Sequence, residues 1–553
     1  MSGQKGSDVY SADQVGDDLL VLSTLLVRGA DKKTIQDSLR KVLAAGSVDD
    51  PFVLTFMTRA IRGGKGERKL FYQMWEIIME LRPRLAIFLL DLIPHYGGWF
   101  DLFEMAPSWP SRRPLYDLVE RQLIADEKAV LAGTKASLLC KWLPREGKPL
   151  AGELADYLGY KTQSRVGRLA SYRKRVASVN RYLKTTEIAM CAGKWAEIKP
   201  EVVPARCIQQ HKKAFLNEII SRKGSTKGSL RHPTDADRMA CREHFQNYFR
   251  ASAKGEIVAK GADTLYPHEI VEQLRVAHVY GGKPISLDEE HSLIGSWNAF
   301  VTRTKEGGGL GRSIPMCDFS GSMNGLPLQV SLALGLLISE VTTDAFKGRM
   351  LTFDSTPKWI QFSEADGIVG RIKAVNASGY GQGLSTDFQA AMDMVLATLK
   401  RKRVAPGQEP ENLIVLTDMA WDQACGSSQN SKYTGASYRH VVKTAPWQTH
   451  IQMIREAFKR AGEDMFGEGN GWTPPRIVIW NLSPNCQDMH AKADEEGVMM
   501  LSGWSPSNFK VLMAKGPEVQ TPLGALRAQL DDSMYDLVRE RIAEYNLMHK
   551  LTT

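Results

Sequence analysis

Long hydrophobic runs are missing from this sequence: even the most apolar stretches, such as Val330 to Ile338, fall far short of the roughly 20 residues a membrane-spanning helix needs. The opening MSGQKGSDVYSADQ is polar and lacks the apolar core of a signal peptide, so a soluble, cytoplasmic protein with no membrane partner is expected. Cysteine is scarce as well. The seven residues (Cys140, Cys191, Cys207, Cys241, Cys317, Cys425, Cys486) are odd in number and scattered, without the close pairs of a zinc site or a secreted disulfide framework. Free thiols in a reducing compartment are the reading. Strand-like alternation is nearly absent from the first 300 residues, which excludes an all-β architecture for that half.

What is present is globular. With 553 residues, 43% hydrophobic and 24% charged, the chain is long enough for two or more cores. Its net charge of +9 is unevenly placed, because positions 141 to 230 hold 19 Lys and Arg against 7 Asp and Glu. That surplus of 12 exceeds the whole net charge, so the rest of the chain is slightly acidic. Such a segment is either a surface for an anionic partner or a set of solvated helix faces.

From about residue 15 to 305 apolar residues recur at helical spacing, as in Leu19, Leu20, Leu22, Leu25 and Leu26, or Leu70, Met74, Ile77 and Ile78. Breakers at Gly63-Gly64, Pro83, Pro94, Gly97-Gly98, Pro107, Pro110 and Pro144 divide this half into helices of ordinary length, a bundle or solenoid pattern. Residues 303 to 313 (RTKEGGGLGRS) read as the boundary. Short apolar runs then alternate with helical patterns: strands at Ser313 to Cys317, Arg349 to Phe353, Asn412 to Leu416 and Arg476 to Ile479, with helices at 327 to 342, 385 to 400, 446 to 462 and 521 to 545. This alternation predicts a mostly parallel, doubly wound α/β domain over 312–535, with 536–553 a C-terminal tail or helix end. In such sheets ligands gather at the carboxyl ends of the strands.

The first strand runs into Asp318-Phe319-Ser320-Gly321-Ser322, one carboxylate and two hydroxyls at alternate positions in a glycine-containing turn. Thr386 stands at a helix start beside Ser385 and Asp387, either of which also suits a helix cap, and Asp418 ends the apolar run Ile414-Val415-Leu416-Thr417. Hard oxygen donors of this kind suit Mg²⁺ or another divalent cation. No nucleophile and base stand at suggestive spacing here, Cys317 reads as a small buried strand residue, and His440 and His450 lack metal-spaced partners, so a non-enzymatic binding site is expected.

The pattern Asp318-x-Ser320-x-Ser322, then Thr386, then Asp418 resembles the metal-ion-dependent adhesion site of von Willebrand factor A domains. The resemblance implies direct coordination by Ser320, Ser322 and Thr386, with Asp318 and Asp418 acting mainly through water, and one position left for a carboxylate from an acidic protein partner.

In the helical half, Phe56 to Arg68 (FMTRAIRGGKGER) describes a helix end, a glycine turn and a basic helix start, which either holds a phosphate through Lys65 and Arg68 or simply joins two helices. Pro94 to Leu102 (PHYGGWFDL) follows. Leu139 to Arg145 and Tyr172 to Arg175 mix aromatic and cationic side chains, as nucleic-acid surfaces and ordinary cores with exposed lysines both do. Over residues 52 to 103, 137 to 215 and 312 to 420 the chain resembles a group of uncharacterised proteins of plants, viruses and phages that join a helical region to a von Willebrand domain. That group is similar in arrangement to the TROVE proteins, including the Ro autoantigen, whose helical-repeat ring binds non-coding RNA. The resemblance implies a HEAT-like helical-repeat region ahead of the α/β domain and a ribonucleoprotein component, but it carries over no RNA-contacting residue; the basic turn singles out Lys65 and Arg68, and the surplus of positions 141 to 230 singles out Arg173, Lys174, Arg175, Lys212 and Lys213, to meet structured or single-stranded RNA. The competing reading is a protein-interaction or assembly module without RNA.

Overall fold

The computed structural model describes the chain apart from residues 1–9, 46–47, 161–163, 220–228, 282–284, 344–345, 354–356, 364, 380–387, 420–446, 486–488, 515–518 and 551–553. A helix-rich N-terminal region precedes a six-stranded mixed sheet, the helical plus α/β architecture that the sequence implies. The last helix before the sheet, Leu287–Glu306, opens on a capping box in which Ser286 accepts from the Glu289 N–H.

The two compact units are interleaved along the chain: one comprises Met1–Pro51 and Ala251–Asp532, the other Phe52–Arg250 and Ser533–Thr553. Sequence periodicity places residues 15–51 with the other helices, whereas their contacts place them with the sheet. The physical reason lies in the helix Asp18–Leu25, whose residues Leu19 to Thr24 are all buried. A helix apolar on every side needs a larger core around it than a two-helix contact supplies.

In the sheet-containing unit the strands are β1 (Ser313–Asp318), β2 (Arg349–Phe353), β3 (Trp359–Gln361), β4 (Asn412–Thr417), β5 (Arg476–Asn481) and β6 (Val498–Ser502), in the order β3-β2-β1-β4-β5-β6. All neighbours are parallel except β2 and β3. Every residue of β1 and β4 is buried, as continuous apolar strands covered on both faces must be. The helix Leu326–Val341 packs on β1, and Gly335 allows the approach: a Cβ there would lie 2.2 Å from Cys317 Sγ. β3 and β6 are additions to the sequence reading. The single helix expected over 521 to 545 is two, Pro522–Leu530 and Asp536–Lys550, divided at the compact-unit boundary.

The N-terminal segment lines the carboxyl ends of β5 and β6. Asn481 Nδ2 donates to the Thr24 carbonyl at 3.0 Å, the Ser502 hydroxyl donates to the Ser23 carbonyl, and the Arg28 guanidinium lies 4.6 Å from both the Tyr266 and Trp504 rings.

The other unit is helical. Among its described residues no strand occurs, only an isolated bridge between Glu218 and Leu230. Phe52, Phe56, Phe71 and Trp75 fill one core region, and Phe215 stacks on Phe245 at 4.3 Å in another. The C-terminal helix Asp536–Lys550 belongs here: Arg541 lies over the Phe88 ring at 4.2 Å and pairs with Asp91.

Candidate metal centre

Parallel pairing of β1 with β4, Cys317 opposite Leu416, carries the loops after both strands to the same edge of the sheet. Asp318, Ser320, Ser322 and Asp418 therefore gather there. The turn folds on itself because the Ser320 N–H donates to Asp318 Oδ1 at 2.9 Å, while the Ser320 and Ser322 hydroxyls lie 3.0 Å apart. Asp318 is fully buried, Ser320 nearly so, Asp418 is 7% exposed, and Ser322 opens to solvent. Thr386, with Ser385 and Asp387 beside it, lies outside the described residues, as does His440.

Sequence reasoning overlooked Thr417. Its hydroxyl donates to Asp318 Oδ2 at 2.9 Å and accepts the Met419 N–H at 3.1 Å, so it ties the two loops together. The signal was present, since a threonine closing an apolar strand beside a functional carboxylate has few apolar reasons to be there.

Burial first, and then the negative charge of Asp418, push the Asp318 carboxyl well above the usual carboxylate range, against the hydrogen bonds from Ser320 and Thr417. A second carboxylate close enough to oppose the ionisation of Asp318 favours a cation between the two. Among the described residues no group of three or more His, Cys, Asp or Glu forms, so the donor set is hydroxyls plus two carboxylates, all oxygen. That set fits Mg²⁺ or a similar hard ion and not a thiolate- or imidazole-bound metal. Cys317 is the buried strand residue expected of it: its Sγ faces the Ser331 carbonyl at 3.6 Å and Met350 Sδ at 3.1 Å, and burial pushes its thiol up.

In the helical unit the two glycine motifs prove to be one construction. Asp101 of the second motif is buried against Arg59 of the first and also accepts from Tyr72 Oη at 2.6 Å and the Gly98 N–H at 2.8 Å. A Cβ on Gly97 would stand 2.4 Å from Asp101 Oδ2, and one on Gly64 would stand 2.4 Å from the Met57 carbonyl oxygen. The glycines are there for close approach. Lys65, in the turn that either holds a phosphate or simply joins two helices, is only 3% exposed, which favours the joining turn, and burial pulls its amine down to about 7, with Glu67 acting the other way. Arg68 is exposed and lies 5.3 Å from the Phe100 ring.

The remaining basic residues separate. On the helix Arg165–Leu183, Arg173 pairs with Glu146 and Arg175 pairs bidentately with Glu127, while Lys174 is exposed. Lys212 and Lys213 are half-buried in the last turn of Ala205–Phe215, where cations complement the helix dipole. Lys141 pairs with Glu187 and Arg168 with Asp156. Several cations of the surplus thus have carboxylate partners within the fold, which reduces the field they present to an anion.

Residues 312–551 match the family model described as Domain of unknown function (DUF7788). The chain is 24% identical over 488 residues to the uncharacterised protein L728 of Acanthamoeba polyphaga mimivirus, a match covering 83% of this chain and 76% of that one. Among solved structures, that of the Deinococcus radiodurans RO (RSR) protein aligns over 90% of this chain and 98% of its own, with 12% identity and a TM-score of 0.31.

Proposed function

We propose that the protein is a non-enzymatic, divalent-cation-dependent binding scaffold. The observation that carries this reading is the convergence of Asp318, Ser320, Ser322, Thr417 and Asp418 at the carboxyl ends of β1 and β4. Ser320, Ser322 and the two aspartates would hold Mg²⁺, with Thr386 as a further donor, and the cation supplies a Lewis-acidic position for a carboxylate of an acidic protein partner. The donors that converge are hydroxyls and carboxylates, an all-oxygen set suited to holding a cation.

A second part of the reading assigns RNA, as a ribonucleoprotein component, to the helical unit. Exposed Arg68 and Lys174 and the basic surplus of positions 141 to 230 support it, and the internal pairing of Arg173 and Arg175 narrows the surface on which it rests. The alternative, an assembly module without RNA, differs in its response to salt. Neutralised phosphates give a steep fall of affinity with salt concentration, and a protein interface does not. Filter binding of copurifying RNA between low and physiological salt is the test: a steep slope supports the ribonucleoprotein, and no retained RNA supports the assembly module.

A further inference from the structure

We propose that His490 is a positioning residue for the candidate cation site, holding Asp418 in place through the backbone of Met419. The inference rests on the cation reading above. Met419, immediately after Asp418, has φ +65°, a left-handed conformation that L side chains rarely adopt. Such a conformation is strained and persists only where its surroundings over-determine it. Two hydrogen bonds do so here. The Met419 N–H donates to the Thr417 hydroxyl at 3.1 Å, and the Met419 carbonyl oxygen lies 2.6 Å from His490 Nε2. Because a carbonyl only accepts, Nε2 carries the proton and donates. Both side chains are 1% exposed, so water does not substitute for the bond.

His490 is itself anchored from its far side. The Tyr10 N–H donates to the Met489 carbonyl at 2.8 Å, the Met489 N–H donates back to Tyr10 at 3.4 Å, and the Ala493 N–H donates to the Val15 carbonyl at 2.9 Å. An unbroken set of contacts therefore runs from the N-terminal segment through Met489 and His490 to Met419, and from there through Thr417 to Asp318. His490 donates no ligand to the cation; it fixes the conformation of the loop that carries one. Outer partners of this kind typically change metal affinity by about 10- to 100-fold when removed.

The test uses the full chain and titrates Mn²⁺ or Mg²⁺ by calorimetry into wild type, His490→Phe, which keeps volume without a donor, and His490→Gln, which keeps an N–H donor. The expected result is a loss of cation affinity of about tenfold or more in His490→Phe, with most of it restored in His490→Gln. If His490→Phe does not fold, His490→Ala takes its place as the donor-free variant. Equal affinity in wild type and the donor-free variant overturns the proposal while leaving the cation reading standing, as does equal loss in the donor-free and glutamine variants. Absence of cation uptake by the folded wild type overturns both.

Discussion

The Arg59 guanidinium places two nitrogens on a single oxygen of Asp101, Nε at 2.9 Å and Nη2 at 2.8 Å, forty-two positions away and with both side chains buried. Removing one partner strands the other charge. Asp101→Ala is therefore expected to destabilise the helical unit by about 3–5 kcal/mol, read as a fall in its urea midpoint. Gly97→Ala should cost about 1–3 kcal/mol because its Cβ meets this pair. A wild-type midpoint in either variant would show that the pair contributes nothing.

Lys65 supplies a pH signature. The unfolded chain keeps this proton to about 10.5, whereas the folded chain releases it near 7, so between these values the unfolded state binds more protons and stability rises with pH. Lys65→Met abolishes that slope. Urea midpoints at pH 7, 8 and 9 should show wild type gaining on the variant at each step, and parallel curves would mean that Lys65 is not depressed.

The N-terminal segment is expected to be part of the sheet-containing unit in stability as well as in space. Deleting residues 1–30 removes the buried Leu19, Leu20 and Leu22 and the Arg28 that lies against Tyr266 and Trp504, so the melting temperature of the remaining chain should drop by several degrees or more. An unchanged melting curve would contradict the interleaved division of the chain.

Thiol chemistry should follow burial. Cys191 is exposed, whereas burial pushes Cys140 and Cys241 up to about 12, Cys207 up to about 11 and Cys317 up as well. Peptide mapping after brief alkylation of the native protein is expected to find Cys191 labelled and those four protected until denaturant is added. Early labelling of Cys317 would argue against the packing of Leu326–Val341 on β1.

Four strands and most of their intervening helices were legible because buried parallel strands write themselves as apolar runs ending in polar residues. β3 was not: three residues with one buried make no pattern, and their antiparallel pairing is set by β2. β6, Val498 to Ser502, is methionine-rich and lacks the β-branched signature. Asp318, Ser320, Ser322 and Asp418 were legible from spacing, since parallel pairing turns strand-end positions into neighbours. Thr417, Met419 and His490 were not, because their parts depend on hydrogen bonds across loops. Lys65 misled for a related reason: sequence shows a basic turn, and only the packing of Gly64 against Met57 and Ala60 shows that the turn folds inward.

Whether the strand-end carboxylates hold a cation is decided by a calorimetric Mg²⁺ titration of the full chain beside Asp318→Asn and Asp418→Asn. Saturable binding near one ion per chain is expected in wild type and its loss in both variants, with a Mg²⁺-dependent rise in melting temperature confined to wild type. Wild type that takes up no ion, or variants that bind as wild type does, would contradict the cation reading.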